Sequence, residues 1–312
     1  MKVLVTGATG FIGGHLARHA VSLGCEVAGL GGAALLCPED LARSGLAWHR
    51  PGPIDMAALA SLPFRPDLVL HCAGGASVAA SVSDPALDRR RTVETTELLV
   101  RHIVENAPQA RLVYPSSGAV YGAHAAILPR DCLQPAAPLS PYGQHKAEAE
   151  AVIRAASIQN GLKAAIVRLF SIFGPGLRKQ LLWDACERFR AGHAEFGGSG
   201  AELRDFLAVE DAVSLLWQAG EHAGSGCPLV DGGTGTGTAV FEVLTLLAGH
   251  FKPRPVIRFS RVARTGDPFD MVADIRAATA LNWRPAIGLA HGVAAYAKWF
   301  KQAVGDHPPA AG

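Results

Sequence analysis

Tyr142 and Lys146 stand four residues apart in the stretch LSPYGQHKAEAE, residues 139–150. On a helix that spacing stacks the phenol and the ammonium on one face. Such a pair is either an ordinary solvated face or a phenol built to give up its proton. A free phenol ionises near about pH 10. A neighbouring cation favours the phenolate, so lysine is the residue type that would make tyrosine a proton carrier.

A second constellation lies at the other end of the chain. TGATGFIGG sets Gly7, Gly10 and Gly13 in a G-x-x-G-x-x-G pattern, directly after the apolar run KVLVT. Glycines there permit a tight turn and a close backbone approach to a pyrophosphate. The following helix start offers free N–H groups and partial positive charge. A bare glycine triplet is weak evidence. Its place between a strand and a helix is what gives it meaning.

The elements that must position these residues can be read from periodicity. KVLVT, CEVAGL, DLVLHCAG, ARLVYPSS and KAAIVRLF read as buried strands. Helices are expected from GFIGGHLARHAVSLG to Gly24, over 86–106 with Pro108 beyond, and over 140–160 closed by Gly161. Strands alternating with helices predict an α/β fold, a doubly wound parallel sheet of the Rossmann type. From Ser171 the rhythm changes to glycine-rich loops, a helix at 180–191, a strand in CPLVDGG and a last helix near 288–303. We expect residues 1–170 to form the dinucleotide-binding domain, with 207–234 returning to it. Residues 171–206 and 235–304 then form a smaller mixed α/β substrate-binding lobe, and 305–312 a frayed tail.

Composition narrows the classes. The chain has 312 residues, 49% hydrophobic and 18% charged, with net charge +2, which is enough apolar material for a sizeable core. No basic run points to nucleic acid, and no apolar run approaches the roughly 18 residues a membrane span needs. Met1-Lys2 leads straight into VLVTG, which does not read as a signal peptide. Cysteines 25, 37, 72, 132, 186 and 227 are scattered, which fits reduced thiols and a cytoplasmic location. His15 and His19 have ligand spacing, but nothing nearby completes a zinc site, so no metal is expected.

Together TGATGFIGG, DLVLHCAGGASV, YPSSGAVYG, PLSPYGQHKAEAE, VRLFSIFGPG, RDFLAVEDAV and ARTGDPFD resemble the extended short-chain dehydrogenase/reductase family. Its NAD-dependent epimerase/dehydratase branch modifies nucleotide-sugars, and the resemblance covers nearly the whole chain. It implies a catalytic set of Ser117, Tyr142 and Lys146. In that set Tyr142 exchanges the proton, Lys146 also bonds the nicotinamide ribose, and Ser117 orients the substrate oxygen. The resemblance places the cofactor, NAD(P), on Gly7, Gly10, Phe11, Ile12, Gly13, Gly31, Ala73 and Gly74, with Tyr142 and Lys146. It places a nucleotide-diphosphate sugar on Ser171, Arg204, Arg264 and Asp267, with Arg178 and Lys179 as further charge near that groove. It also implies a homodimer.

Relatives that dehydrate carry an acidic pair just after the serine. Here Gly118 and Ala119 stand there, and neither transfers a proton. Hydride chemistry alone survives. The leading reading is a nucleotide-sugar 4-epimerase working through a transient 4-keto sugar. The alternative is an NAD(P)H-dependent reductase of a nucleotide-linked 4-keto sugar, and the remote alternative a non-catalytic dinucleotide sensor. Gly31 occupies the place of the acid that bonds the adenosine ribose in NAD-preferring members, so NADP is slightly favoured over NAD. Arg43 is a candidate to fold back toward it. Pro53 replaces an acid near the adenine, with Asp55 a candidate substitute. Ser171 and Thr92 stand where the family has asparagines.

Overall fold

Alternating burial builds the central sheet. In Lys2–Thr6 (β1), Val3 and Val5 face one side and Leu4 the other, and all three are buried. The computed structural model describes residues 1–32, 45–122, 136–261 and 270–304. Among them β1 pairs in parallel with Glu26–Leu30 (β2) and Leu68–His71 (β4), and β2 pairs with Trp48–Arg50 (β3). Arg111–Ser117 (β5), Lys163–Leu169 (β6) and Leu229–Gly232 (β11) complete a seven-stranded parallel sheet, ordered β3-β2-β1-β4-β5-β6-β11. Strand order reverses between β1 and β4. A doubly wound sheet opens its ligand crevice there, at the carboxyl ends of the strands.

Helices cover both faces. Phe11–Ser22 (α1) and Val209–Glu221 (α8) pack Leu16, Ala20, Leu215 and Leu216 against Val3, Val5 and Val113. Thr95–Asn106 (α5) and Pro141–Asn160 (α6) pack Leu99, Ile103, Ala149 and Ile153 against Leu4, Val69 and Leu112. Shorter helices, Met56–Ala60 (α2), Val78–Ser83 (α3) and Pro85–Arg89 (α4), fill the same side. The helix α6 starts where Ser140 accepts the Gly143 N–H ahead of Pro141, and ends where Gly161 takes a left-handed φ of 69°.

One expected helix is divided. Residues 86–106 run as α4, then a π-helical turn at Arg90–Glu94, then α5. That turn buries Thr92 and Val93, and Thr95 Oγ1 donates to Arg90 O five residues back. Side-chain periodicity cannot register one extra residue in a turn.

Beyond the sheet, Ser171–Phe173 (β7) pairs in parallel with Phe206–Ala208 (β10). Glu195–Phe196 (β8) pairs with Arg258–Phe259 (β13), and Leu203–Arg204 (β9) with Thr238–Ala239 (β12). Gln180–Arg190 (α7), Val240–Ala248 (α9) and Leu289–Val304 (α11) close over a separate aromatic core of Phe173, Phe189, Phe196, Phe206, Tyr296 and Phe300. Arg276–Ala280 (α10) rests against β11. The segment PVIRFSRVART contributes strand only at Arg258–Phe259 among its described residues. No helix of the described residues is long and apolar enough to cross a membrane.

Candidate active site

The loop between β1 and α1 sits at the strand-order reversal. Gly7 has φ 66°, and a Cβ there would lie 3.0 Å from the Ala73 nitrogen and the Cys72 carbonyl. At Gly13 a Cβ would lie 2.2 Å from the Gly7 oxygen, and at Gly10 it would lie 3.1 Å from that same oxygen. Gly10 N–H closes the turn onto Gly7 O at 2.8 Å. As N-cap of α1, Gly10 brings no side chain to the first-turn N–H groups, so these donors and the helix dipole suit a pyrophosphate. Phe11 stacks edge-on with His15 at 5.4 Å and packs beside Gly176, and Ile12 packs against the core under the sheet.

A directional hydrogen-bond chain fixes the facing loop, residues 73–75. Thr96 Oγ1 donates to Thr92 O at 2.6 Å, so it accepts from His71 Nε2 at 3.0 Å. His71 Nδ1 is then the acceptor for the Thr6 hydroxyl at 2.7 Å, while Thr6 Oγ1 accepts the Ala73 N–H at 3.1 Å. Burial, and after it the Lys146 charge, pushes the His71 pKa down to about 3, so the imidazole stays neutral as the chain requires. Thr92 Oγ1 accepts the Gly75 N–H at 2.8 Å. Sequence reading noted Thr92 only as a departure and passed over His71. A polar residue ending the apolar run VLH was the available signal.

Ser117, Tyr142 and Lys146 converge on the same crevice. Ser117 ends β5 and caps the short turn Gly118–Val120, accepting the Ala119 N–H at 3.2 Å. Its hydroxyl lies near enough to the Tyr142 phenol to favour the phenolate. Tyr142 is anchored by its backbone N–H to Ser81 Oγ at 3.0 Å. Lys146 is buried, donates from Nζ to Pro115 O at 3.0 Å, and lies 4.7 Å from the Tyr114 ring centroid and 6.0 Å from that of Tyr142. Burial lowers the Lys146 pKa to about 8, against the opposing pull of Cys72, Asp88 and Glu150. A Cβ at Gly74 would come 3.8 Å from Lys146 Nζ, so the bare loop faces the ammonium closely.

The protein's own groups act on the phenol in both directions. Burial raises the Tyr142 pKa, the Ser117 hydroxyl draws it back, and the Asp88 carboxylate raises it again. The protein's own groups therefore hold the phenol protonated. Lys146 gives Pro115 O one of its three N–H donors, and the expected phenolate counts on its charge together with that of an oxidised nicotinamide.

Gly118 and Ala119 leave no acid beside Ser117. A Cβ at Gly118 would meet Met271 Cε at 2.9 Å and Phe170 Cε1 at 3.2 Å, so a side chain there would have to displace the methionine. Ser116 points away from the crevice chemistry. It donates to Glu150 Oε1 at 2.5 Å, and Glu150 holds Arg168 through two bonds at 2.9 and 2.7 Å. Arg168 lies over the Tyr121 ring at 4.5 Å, and the Tyr121 hydroxyl donates to Asp231 at 2.7 Å. Sequence reading missed this buried network, because its members lie up to 110 residues apart.

The residues expected to hold the substrate are less gathered. Ser171 begins β7, and its N–H bonds Asp205 O at 2.9 Å. Arg204 is half-buried on β9, with Nη1 donating to Leu203 O at 2.9 Å. Asp205 binds Thr234, Gly235 and Ala273, fixing the loop after β11. Arg264 and Asp267 lie outside the described residues, as do Arg43 and 305–312. Arg178 lies over Trp183 and Trp299 in the lobe. Lys179 reaches Ala76 O at 2.9 Å, against the loop that follows β4. Asp55 is the N-cap of α2, accepting the Ala58 N–H at 2.7 Å. Gly31 follows β2 with φ 81°, where a Cβ would press on Ile54 at 3.2 Å. His15 bonds Pro175 O and His19 stacks on Trp217; no metal-holding cluster occurs among the described residues.

Comparison with known proteins adds to this geometry. Residues 3–228 match the model of the NAD dependent epimerase/dehydratase family. The UDP-glucose 4-epimerase of Mycolicibacterium smegmatis is 30% identical over 315 aligned positions, covering 96% of this chain and 99% of that one. The structure of MoeE5 in complex with UDP-glucuronic acid and NAD superposes with a TM-score of 0.87 at 28% identity, covering 97% and 100%. The UDP-glucose 4-epimerase of Thermotoga maritima, solved with UDP-glucose, gives 0.86 at 27%, also covering 97% and 100%.

Proposed function

Since the chain belongs to the NAD dependent epimerase/dehydratase family, we propose that it is a nucleotide-sugar 4-epimerase acting on a UDP-hexose. The observation that carries this reading is the convergence of Ser117, Tyr142 and Lys146 beside the Gly7–Gly13 loop, with no acid at Gly118 or Ala119. Proton exchange at one hydroxyl is all that such a set can do, which supports epimerisation or reduction over dehydration.

In this reading Ser117 holds the sugar 4-hydroxyl and Tyr142 takes its proton, returning it after the sugar turns over. The nicotinamide, when bound, accepts and gives back the hydride. Lys146 supports the phenolate and holds the nicotinamide ribose across Gly74. Gly7, Gly10 and Gly13, with Phe11 and Ile12, cradle the pyrophosphate, and Ala73 and Gly74 line the ring side. Arg204 and Ser171, with Arg264 and Asp267, hold the nucleotide diphosphate of the substrate. Arginine suits this through its permanent, forked charge. Residues 1–170 with 207–234 serve the cofactor, and 171–206 with 235–304 serve the substrate. We extend the proposal to a homodimer, to be checked by sedimentation.

For the cofactor we favour NAD. The absence of an acid at Gly31 argued for NADP, but it only removes a repulsion. Arg50, on the strand beside β2, turns its Nη1 to Ala57 O and Ser61 Oγ, both at 2.8 Å. MoeE5 was solved with NAD. The test is incubation of the purified protein with UDP-glucose without added coenzyme. The 4-epimer should form, and heat-released cofactor should be NAD. Consumption of NADPH with a nucleotide-linked 4-keto sugar, and no epimer from UDP-glucose, would replace this reading with the reductase.

A further inference from the structure

Two buried groups beside Tyr142 take no part in the reaction as described. Asp88 of α4 and His145 of α6 lie 2.6 Å apart, Oδ2 to Nδ1, with side chains 5% and 7% exposed. An ionised carboxylate only accepts, so Nδ1 carries the hydrogen, and the bond persists whether or not Nε2 is protonated. The second carboxylate oxygen packs on the bare Cα of Gly75, where a Cβ would stand 1.9 Å from Oδ1. Thr92 holds Gly75 from the other side. His145 follows Tyr142 by three residues and directly precedes Lys146, so it shares their buried stripe. Asp88 thereby joins α4, α6 and the 73–75 loop at one point.

Burying two ionisable groups is costly before pairing, and an apolar pair would close α4 on α6 without that cost. An apolar pair would not supply a fixed direction or a charge next to the phenol. We propose that Asp88 and His145 are a positioning pair for Tyr142 and Lys146, fixing both against the 73–75 loop and setting the charge they feel. This rests on the reading of Tyr142 as the proton carrier.

The groups that meet there can be named. Tyr142 faces Asp88 of α4, Ser117 and Tyr114 of β5, and Lys146 of its own helix. Lys146 faces His71 of β4, Cys72 beyond it, and Glu150. Among the carboxylates, Asp88 is the one that raises the phenol.

The test is an ultraviolet difference titration of the phenol, taken as the signal that the wild type shows and Tyr142→Phe lacks. Asp88→Asn keeps an oxygen for Nδ1–H and removes the charge. Its phenol midpoint should fall by about half a pH unit or more, and the rising limb of kcat should move with it. Asp88→Ala removes charge and contact together, and kcat should fall about tenfold or more with KM within about twofold. An unmoved midpoint in Asp88→Asn overturns the proposal. If the Asp88 variants fail to fold, His145→Leu leaves the carboxylate without its partner and should move the midpoint upward; no movement overturns the proposal equally. The titration needs no substrate. Absence of epimerisation would therefore reject the proposed reaction, while the midpoint alone decides the role of the pair.

Discussion

A Cβ on Gly13 would stand 2.2 Å from the carbonyl oxygen of Gly7, closer than any carbon and oxygen approach without bonding. The first turn of α1 therefore rests on the loop that precedes it with no room for a side chain. Gly13→Ala must displace either the Gly7 peptide or the helix, and both carry the proposed pyrophosphate donors. Dinucleotide affinity, measured by fluorescence titration with NADH, should fall about tenfold or more, a change of about 1.4 kcal/mol. Gly14→Ala is the control. Its Cβ would meet the Ala8 oxygen at 3.3 Å, and affinity should stay close to the wild type.

Tyr142→Phe keeps the ring and removes the hydroxyl proposed to carry the proton. Turnover should fall at least about a hundredfold, the low end of what positioned acid–base groups contribute. NADH affinity should change little. Near-normal turnover would remove Tyr142 as the proton carrier.

Much of this arrangement was legible in the chain. Glycine spacing after an apolar run located the crevice, because close backbone approach admits no other residue there. Gly161 marked the end of α6, because a left-handed cap is local chemistry. Contacts made across the fold were not legible. Asp88 and His145 are 57 positions apart, and nothing in either neighbourhood announces the other. Spacing along a helix placed the ammonium near the ring, but only the fold shows it held by Pro115 O.

Thr96 tests the chain that holds the 73–75 loop. Thr96→Val removes the acceptor of His71 Nε2–H and leaves that donor buried. An orphaned buried donor costs about 1–3 kcal/mol, to be read from urea unfolding. A loss well below that range would mean the tautomer assigned to His71 is wrong.

Asp231 should make stability depend on pH in an unusual direction. It is fully buried; Tyr121 donates to Oδ1 at 2.7 Å, and the Asp274 N–H lies 3.4 Å from Oδ2. Burial pushes its pKa up to about 7, with the Tyr121 hydroxyl and the Arg168 charge pulling the other way and Asp274 adding repulsion. An unfolded aspartate ionises near about 3.9. The native state therefore holds this proton more tightly. Its contribution is fully present below about pH 4, is lost as pH rises through about 7, and is constant above that. Asp231→Asn keeps an oxygen for the Tyr121 hydroxyl and does not titrate. Between pH 4.5 and 7.5 the variant should gain on the wild type by roughly 2 kcal/mol or more, read as the change in their difference in urea unfolding free energy. Other groups cancel in that difference. An equal gap at both pH values would mean that Asp231 is ionised throughout and that Arg168 compensates its burial.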